Sequence, residues 1–133
     1  MTAPQGTSVA ITIDQGCDFT SDTYTWTNGD GGALGGDGTP LKLDTSTAIA
    51  KFRLNGVVVL TLTDANGGGI ILDRTTSGPT MGQYHFVLTH AQTALMTAGK
   101  YDFDLLITDT VSGIELKAIY SNPFVRPTAS LSP

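Results

Sequence analysis

Hydrophobic and polar residues alternate strictly in several short segments of this chain. Ala48, Ala50, Phe52 and Leu54 fall on one side of a strand, with Ile49, Lys51 and Arg53 on the other. That period of two predicts a half-buried strand. Asn55-Gly56 follows, a pair suited to the positive φ angles of a two-residue hairpin turn, and Val57 to Thr63 returns. A second turn at 64–69 leads into Ile70-Ile71-Leu72. Met81 to Leu88 places Tyr84, Phe86 and Leu88 on one face. Tyr101, Phe103, Leu105 and Ile107 then alternate with Asp102 and Asp104, and a turn at 111–113 leads to a return strand from Ile114 to Tyr120. Upstream, Val9 to Ile13 and Phe19 to Thr27 are further candidates, the latter with Tyr24 and Trp26 on a shared face.

One segment breaks the period. Thr89 with Gln92 three residues on makes a capping box, so a helix is predicted near 90–97. Leu95 is expected to turn inward, and Gly99 stands where a left-handed C-cap residue belongs. Such a helix connects two layers and requires no chemistry. About eight short strands with frequent turn signals predict an all-β fold: an antiparallel immunoglobulin-like β-sandwich of seven to nine strands with one short helix. Lys51 and Arg53 are expected to face Asp102 and Asp104 across adjacent strands.

The 133 residues fit one domain, 1–133. Three segments lack periodicity: an N-terminal arm (1–8), a glycine-rich loop (28–40) and an extended C-terminal tail (122–133). The candidate interface falls within them, at Thr2, Pro4, Gly31, Gly32, Leu34, Pro123, Phe124 and Arg126. Loops of that length ordinarily bind something or stay disordered. Deletion of 1–8 or 124–133 is therefore expected to leave folding nearly intact and to weaken assembly.

Composition narrows the function. Charged residues make up 14% and the net charge is −5, spread along the chain, which argues against a nucleic-acid surface built of clustered Lys and Arg. The longest apolar run, Val57 to Leu60, falls far short of the about 20 residues of a spanning helix. No signal peptide is evident, and the single cysteine, Cys17, excludes an internal disulfide; synthesis in a reducing cytoplasm is expected.

The candidate chemistry is thin. Asp102 and Asp104 sit about 6 to 7 Å apart on one strand face, a spacing that an acid/base pair tolerates, yet no third group converges on them. A solvated face opposite Lys51 and Arg53 accounts for them better. The loop holding Asp30 and Asp37 lacks the Lys-Ser/Thr of a phosphate loop and the closing Glu of a calcium loop. His85 and His90 alone make a poor metal site. Cys17 as a nucleophile has no neighbouring base in sequence. No catalytic, cofactor or metal residues are assigned, and the chain is expected not to be an enzyme. Trp26 and Tyr24 with the glycine loop would form the site of an alternative reading, a host-surface or carbohydrate-binding adhesin module whose partner is a host glycan.

Three passages, "TSTAIAKFRLNGVVVLTLT" at 45–63, "GQYHFVLTHAQTALMTAGKYDFDLLI" at 82–107 and "GIELKAIYSNPFVRP" at 113–127, resemble small immunoglobulin-like virion proteins of tailed bacteriophages. The matching motifs include an opening Gln15-Gly16-x-Asp18-Phe19-Thr20 and a loop with Asp37, Gly38, Pro40 and Leu43. The glycine-rich insertion at 28–36 departs from the family pattern. The resemblance covers nearly the whole chain. It implies a baseplate- or tail-fibre-associated or head-decorating module located in the virion. It further implies contacts with other virion proteins, in multiple copies within a symmetric assembly, with no cofactor, nucleic acid or membrane involved.

Overall fold

A computed structural model describes residues 7–27, 40–111, 113 and 115–127. Its strands are β1 (Thr7–Ser8), β2 (Thr12–Asp14), β3 (Phe19–Thr20), β4 (Tyr24–Thr25), β5 (Ser46–Leu54), β6 (Val57–Thr63), β7 (Ile70–Leu72), β8 (Gln83–Leu88), β9 (Gly99–Lys100), β10 (Asp102–Asp109), β11 (Glu115–Ser121) and β12 (Phe124–Arg126). One helix, α1 (His90–Ala94), lies between β8 and β9. No described helix is long and apolar enough to cross a membrane.

Register joins several short strands into longer ones. β1 and β2 run parallel to β11 and β12, pairing Thr7 with Ile119 and Thr12 with Phe124. The Ser121 Oγ to Val9 O and Arg126 to Asp14 hydrogen bonds each span 112 residues, the separation of those backbone pairs, so one ladder continues past the break. β9 and β10 likewise keep one antiparallel register against β12 and β11. β3 and β4 pair in succession with β8. The twelve segments therefore trace eight strand lines, within the expected seven to nine.

These lines form two layers. The first has the order β1-β11-β10-β5-β6, continued at one end by β2-β12-β9; the second has β8 between β7 and β3/β4. Alternation decides which side chains meet. Phe52, Phe103 and Leu105 from the first layer and Tyr84, Phe86 and Leu88 from the second are at most 3% exposed. Phe86 meets Phe103 across the layers with ring centroids 5.1 Å apart, Phe103 meets Phe52 at 4.5 Å, and Phe86 meets Phe19 at 5.8 Å. Such contacts contribute about 0.5–1.5 kcal/mol each beyond the area they bury.

The turns follow local chemistry. Asn55 at φ 53° and Gly56 at φ 81° close the β5–β6 hairpin as the dipeptide predicts. Gly82, at φ 81°, lies where a Cβ would stand 2.6 Å from the Leu41 carbonyl oxygen, so a side chain there collides with backbone. That close approach secures the base of the glycine-rich loop, where Trp26 N–H donates to the Gly82 carbonyl at 2.8 Å and Thr27 bridges Pro40.

The helix is shorter than predicted. Its capping box is present, with Thr89 accepting from the Gln92 N–H and the Gln92 side chain accepting from the Thr89 N–H. It ends with Leu95 as C-cap, not near 97. Leu95 is 85% exposed, because Thr93 and Met96 three residues apart supply the buried face instead. Gly99, at φ 146°, is no left-handed cap; it begins β9. Tyr101 then donates its hydroxyl to the Thr97 carbonyl at 2.7 Å, at the corner between the layers. A tyrosine bonded to upstream backbone at this corner, together with the layer order, marks an immunoglobulin-like sandwich.

Both chain ends correct the reading of free arms. Thr7 and Ser8 belong to β1, and Val9 to Ile11 separate it from β2, so Val9 to Ile13 is not one uninterrupted strand. The tail pairs through β12: Val125 is fully buried, Pro123 is buried, and the Pro123 carbonyl accepts the Tyr101 N–H at 2.8 Å. Residues 1–6, 28–39 and 128–133 lie outside the described residues.

Two expected outcomes follow. Ending the chain after Pro123 deletes β12 and should abolish cooperative unfolding in a urea titration followed by circular dichroism. Tyr101→Phe should lower unfolding free energy by about 0.5–1.5 kcal/mol, and Phe103→Ala by about 3–5 kcal/mol, in the same assay.

Candidate functional site

The charged residues of the first layer are arranged as the alternation predicts. Asp102 lies opposite Arg53 and Asp104 opposite Lys51 in the β10–β5 register. Arg53 reaches Asp104 diagonally at 3.4 Å, and Lys117 approaches its other oxygen at 3.9 Å. Asp102 instead accepts a hydrogen bond from the Asn122 amide at 2.7 Å. Each carboxylate thus has its own partner, and the pair offers no shared geometry for acid/base work. These contacts are partly exposed and fix register more than they stabilise, at about 0–1 kcal/mol each.

The Trp26–Tyr24 platform is not formed. Trp26 is only 8% exposed and belongs to the core, so its indole presents no face to a sugar ring. Tyr24 packs on Tyr84 with centroids 5.7 Å apart. Burial pushes both phenols up from their ordinary pKa, with the Asp22 charge adding to the effect at Tyr24. Among the described residues no three His, Cys, Asp or Glu groups gather to hold a metal ion. Cys17 is exposed.

His90 has a structural role that spacing did not reveal. Its backbone N–H donates to Asp18 Oδ1 at 2.6 Å, and its Nδ1 lies 3.0 Å from the same oxygen. Thr93 Oγ1 donates to the Cys17 carbonyl at 2.8 Å, so the 17–18 turn is fastened to α1 from two positions. The hydrogen bond from the His90 backbone, then the one from its ring, holds the Asp18 carboxyl below its ordinary 3.8.

A cavity of about 500 Å³ opens beside β7, lined by Asp64, Asn66, Ile71, Arg74, Val87 and Gln92 among others. Its charged groups are committed to the scaffold. Arg74 donates to the Leu43 and Ser46 carbonyls at 3.0 and 2.8 Å and pairs with Asp64 at 2.8 Å. Asp64 also accepts the Ala48 N–H at 2.9 Å. The arrangement ties β5, the end of β6 and the segment after β7 together, and it leaves walls of mixed polarity without a reactive group.

The most unusual surface is the outer edge of β6. Val57, Val58 and Val59 are 66%, 43% and 43% exposed in succession. A register shift causes this: Phe52 pairs with Leu60 and Arg53 with Val58, so Val59 is an extra residue that interrupts the alternation. The uncharged run VVVLTLT was visible in the sequence, but its place at a sheet edge depends on the whole strand order. Of the eight expected interface residues, Thr2, Pro4, Gly31, Gly32 and Leu34 lie outside the described residues. Pro123 is buried and cannot serve as a contact, while Phe124 (48% exposed) and Arg126 remain on the surface. Arg126 is engaged with Asp14 at 2.7 Å.

The class the fold defines is an immunoglobulin-like β-sandwich without a disulfide. No family model matches the chain. No curated protein matches it either. Among solved structures, extracellular domains 3–5 of Drosophila OTK align over 93% of this chain at 12% identity with a TM-score of 0.36. The chain spans about a third of that structure, 34% of its length.

Acid stability tests the fastening of the 17–18 turn. Because the folded Asp18 pKa is depressed, its stabilisation is present above the ordinary 3.8 and is lost as pH falls through the folded value. Asp18→Asn should therefore lower the urea midpoint near neutral pH, and the difference from the unaltered protein should shrink in acid below 3.8. A pH-independent difference would contradict this role.

Proposed function

We propose that the chain is a non-enzymatic contact module, a structural component of a tailed-phage virion acting in the tail or baseplate or on the capsid surface. The observation that carries the contact reading is the β6 edge, an uncharged strand with three successive exposed valines. An edge of this kind offers unpaired backbone groups and apolar side chains, which is what strand addition by a neighbour uses. The charged residues with resolved partners hold register or fasten turns, and they leave no converging reactive set among the described residues. The phage assignment is supported by the resemblance of residues 45–63, 82–107 and 113–127. It places the protein in the virion after synthesis in the host cytoplasm, with other virion proteins as its partners.

A second reading, a host-surface or glycan-binding module, is favoured by the cavity beside β7. Its volume of about 500 Å³ falls within the range of small-molecule sites, about 300–1,000 Å³. Its site would be that cavity, since Trp26 is buried.

Quantitative mass spectrometry of particles purified from a phage that encodes this chain separates the two. A fixed copy ratio to the major head or tail proteins, surviving a salt wash, is expected. Absence from particles, with saturable binding on a glycan array that Ile71→Arg abolishes, would replace the virion reading with the second one.

A further inference from the structure

We propose that β6 pairs with β6 of a second copy of this chain, antiparallel about a two-fold axis, so that two five-stranded layers join into one sheet. The inference rests on the contact reading above and names its partner. β6 ends the strand order β1-β11-β10-β5-β6, so from Val57 to Leu62 one of its backbone edges has no strand beside it. Natural edges are ordinarily blunted by shortness, charge, proline or a bulge. β6 has seven residues, no charge and no proline. Every other described strand of six or more residues carries Asp, Glu, Lys, Arg or His. It carries the bulge at Val59, and its last residue, Thr63, is covered by the 68–69 turn, donating its N–H to the Gly68 carbonyl at 3.0 Å and bridging Gly69; between these, Leu60 to Leu62 keep a regular register with β5.

Charge favours a second copy over a charged partner strand. Two molecules of net charge −5 repel, least where they meet at a neutral element, and β6 is the longest one described. About a two-fold axis each β6 residue meets a member of its own set. That set is Val, Leu and Thr only, so no register creates a like-charge pair or opposes a charge to an apolar side chain. The nearest cations beside the edge are Lys51 and Arg53, one strand inward and opposite Thr61 and Val58, and Arg53 is paired with Asp104 at 3.4 Å. In the paired sheet the two Lys51 residues stand three strand spacings apart, about 14 Å, beyond the Debye length of about 8 Å at physiological salt. Asp64, at the end of β6, is already paired with Arg74. Pairing consumes the edge, so assembly through it stops at two.

Sedimentation velocity of the full chain over a wide concentration range tests this. A reversible monomer–dimer equilibrium is expected. Val58→Lys and Thr61→Lys each place two like charges at the shared edge, and each should weaken dimerisation at least tenfold while leaving the β-type circular dichroism spectrum unchanged. If one variant loses that spectrum, the other decides. A chain that stays monomeric at every concentration, an open-ended polymer, or variants that dimerise as tightly as the unaltered protein would overturn the proposal. Monomers that still enter particles at full copy number would defeat the dimer and leave the virion reading standing. Dimers absent from particles would do the reverse.

Discussion

The contact between Phe86 and Phe103 links the two layers of a sandwich that has no disulfide to join them. Their centroids lie 5.1 Å apart, with Phe52 and Phe19 extending the cluster within each layer. With a lone exposed cysteine, the chain relies on apolar burial and close packing, reinforced by the Arg74–Asp64 fastening, to hold its sheets face to face. The rest of the architecture serves to keep these rings opposed. Strict alternation in β5, β8 and β10 delivers every second side chain to the interior. The capped helix and the Tyr101 corner set the crossing from one layer to the other. The ladder of β1/β2 on β11/β12 ties the beginning of the described chain to its end, and carries Ile13 and Val125 into the core without exposure.

Holding the layers this way assigns the polar groups to support. Asp64 and Arg74 fasten three segments, Asp18 fastens the helix start, and Asp104 stands between Arg53 and Lys117. What remains unassigned is backbone and apolar surface at the edges, above all β6. A protein built so is suited to contact. The energy of adding a strand comes from backbone pairing and valine burial, at about 25 cal/mol per Å² of apolar area. The bulge at Val59 tempers that edge without charging it.

Local chemistry explains which parts of this fold were legible in the sequence. The alternation of 48–54 and 101–107, the Asn55-Gly56 turn and the Thr89–Gln92 capping box each depend on residues close in sequence, and each is found where expected. The pairing of Asp102 and Asp104 with Arg53 and Lys51 followed from two alternating strands placed side by side. The chain ends were misread because a parallel ladder spanning 112 residues leaves no local signature: Pro123 and Val125 sit in a Pro-rich segment, yet tertiary packing buries both. Leu95 misled because the helix is only five residues long, so the buried face is set by Thr93 and Met96 rather than by the most apolar side chain. Trp26 was offered as a sugar platform, and its burial depends on the loop base held by Gly82. The β6 edge was half legible, since its lack of charge is in the sequence and its position is not.

Amide hydrogen exchange, followed by mass spectrometry at low and at high protein concentration, tests most directly the claim that this protein works through its free strand edge. The account predicts that exchange within 57–63 slows as concentration rises, while peptides from β8, already paired on both sides, exchange at the same rate throughout. Unchanged exchange in 57–63 with new protection confined to β11 and β12 would contradict it, and would move the contact surface to the other end of the same layer.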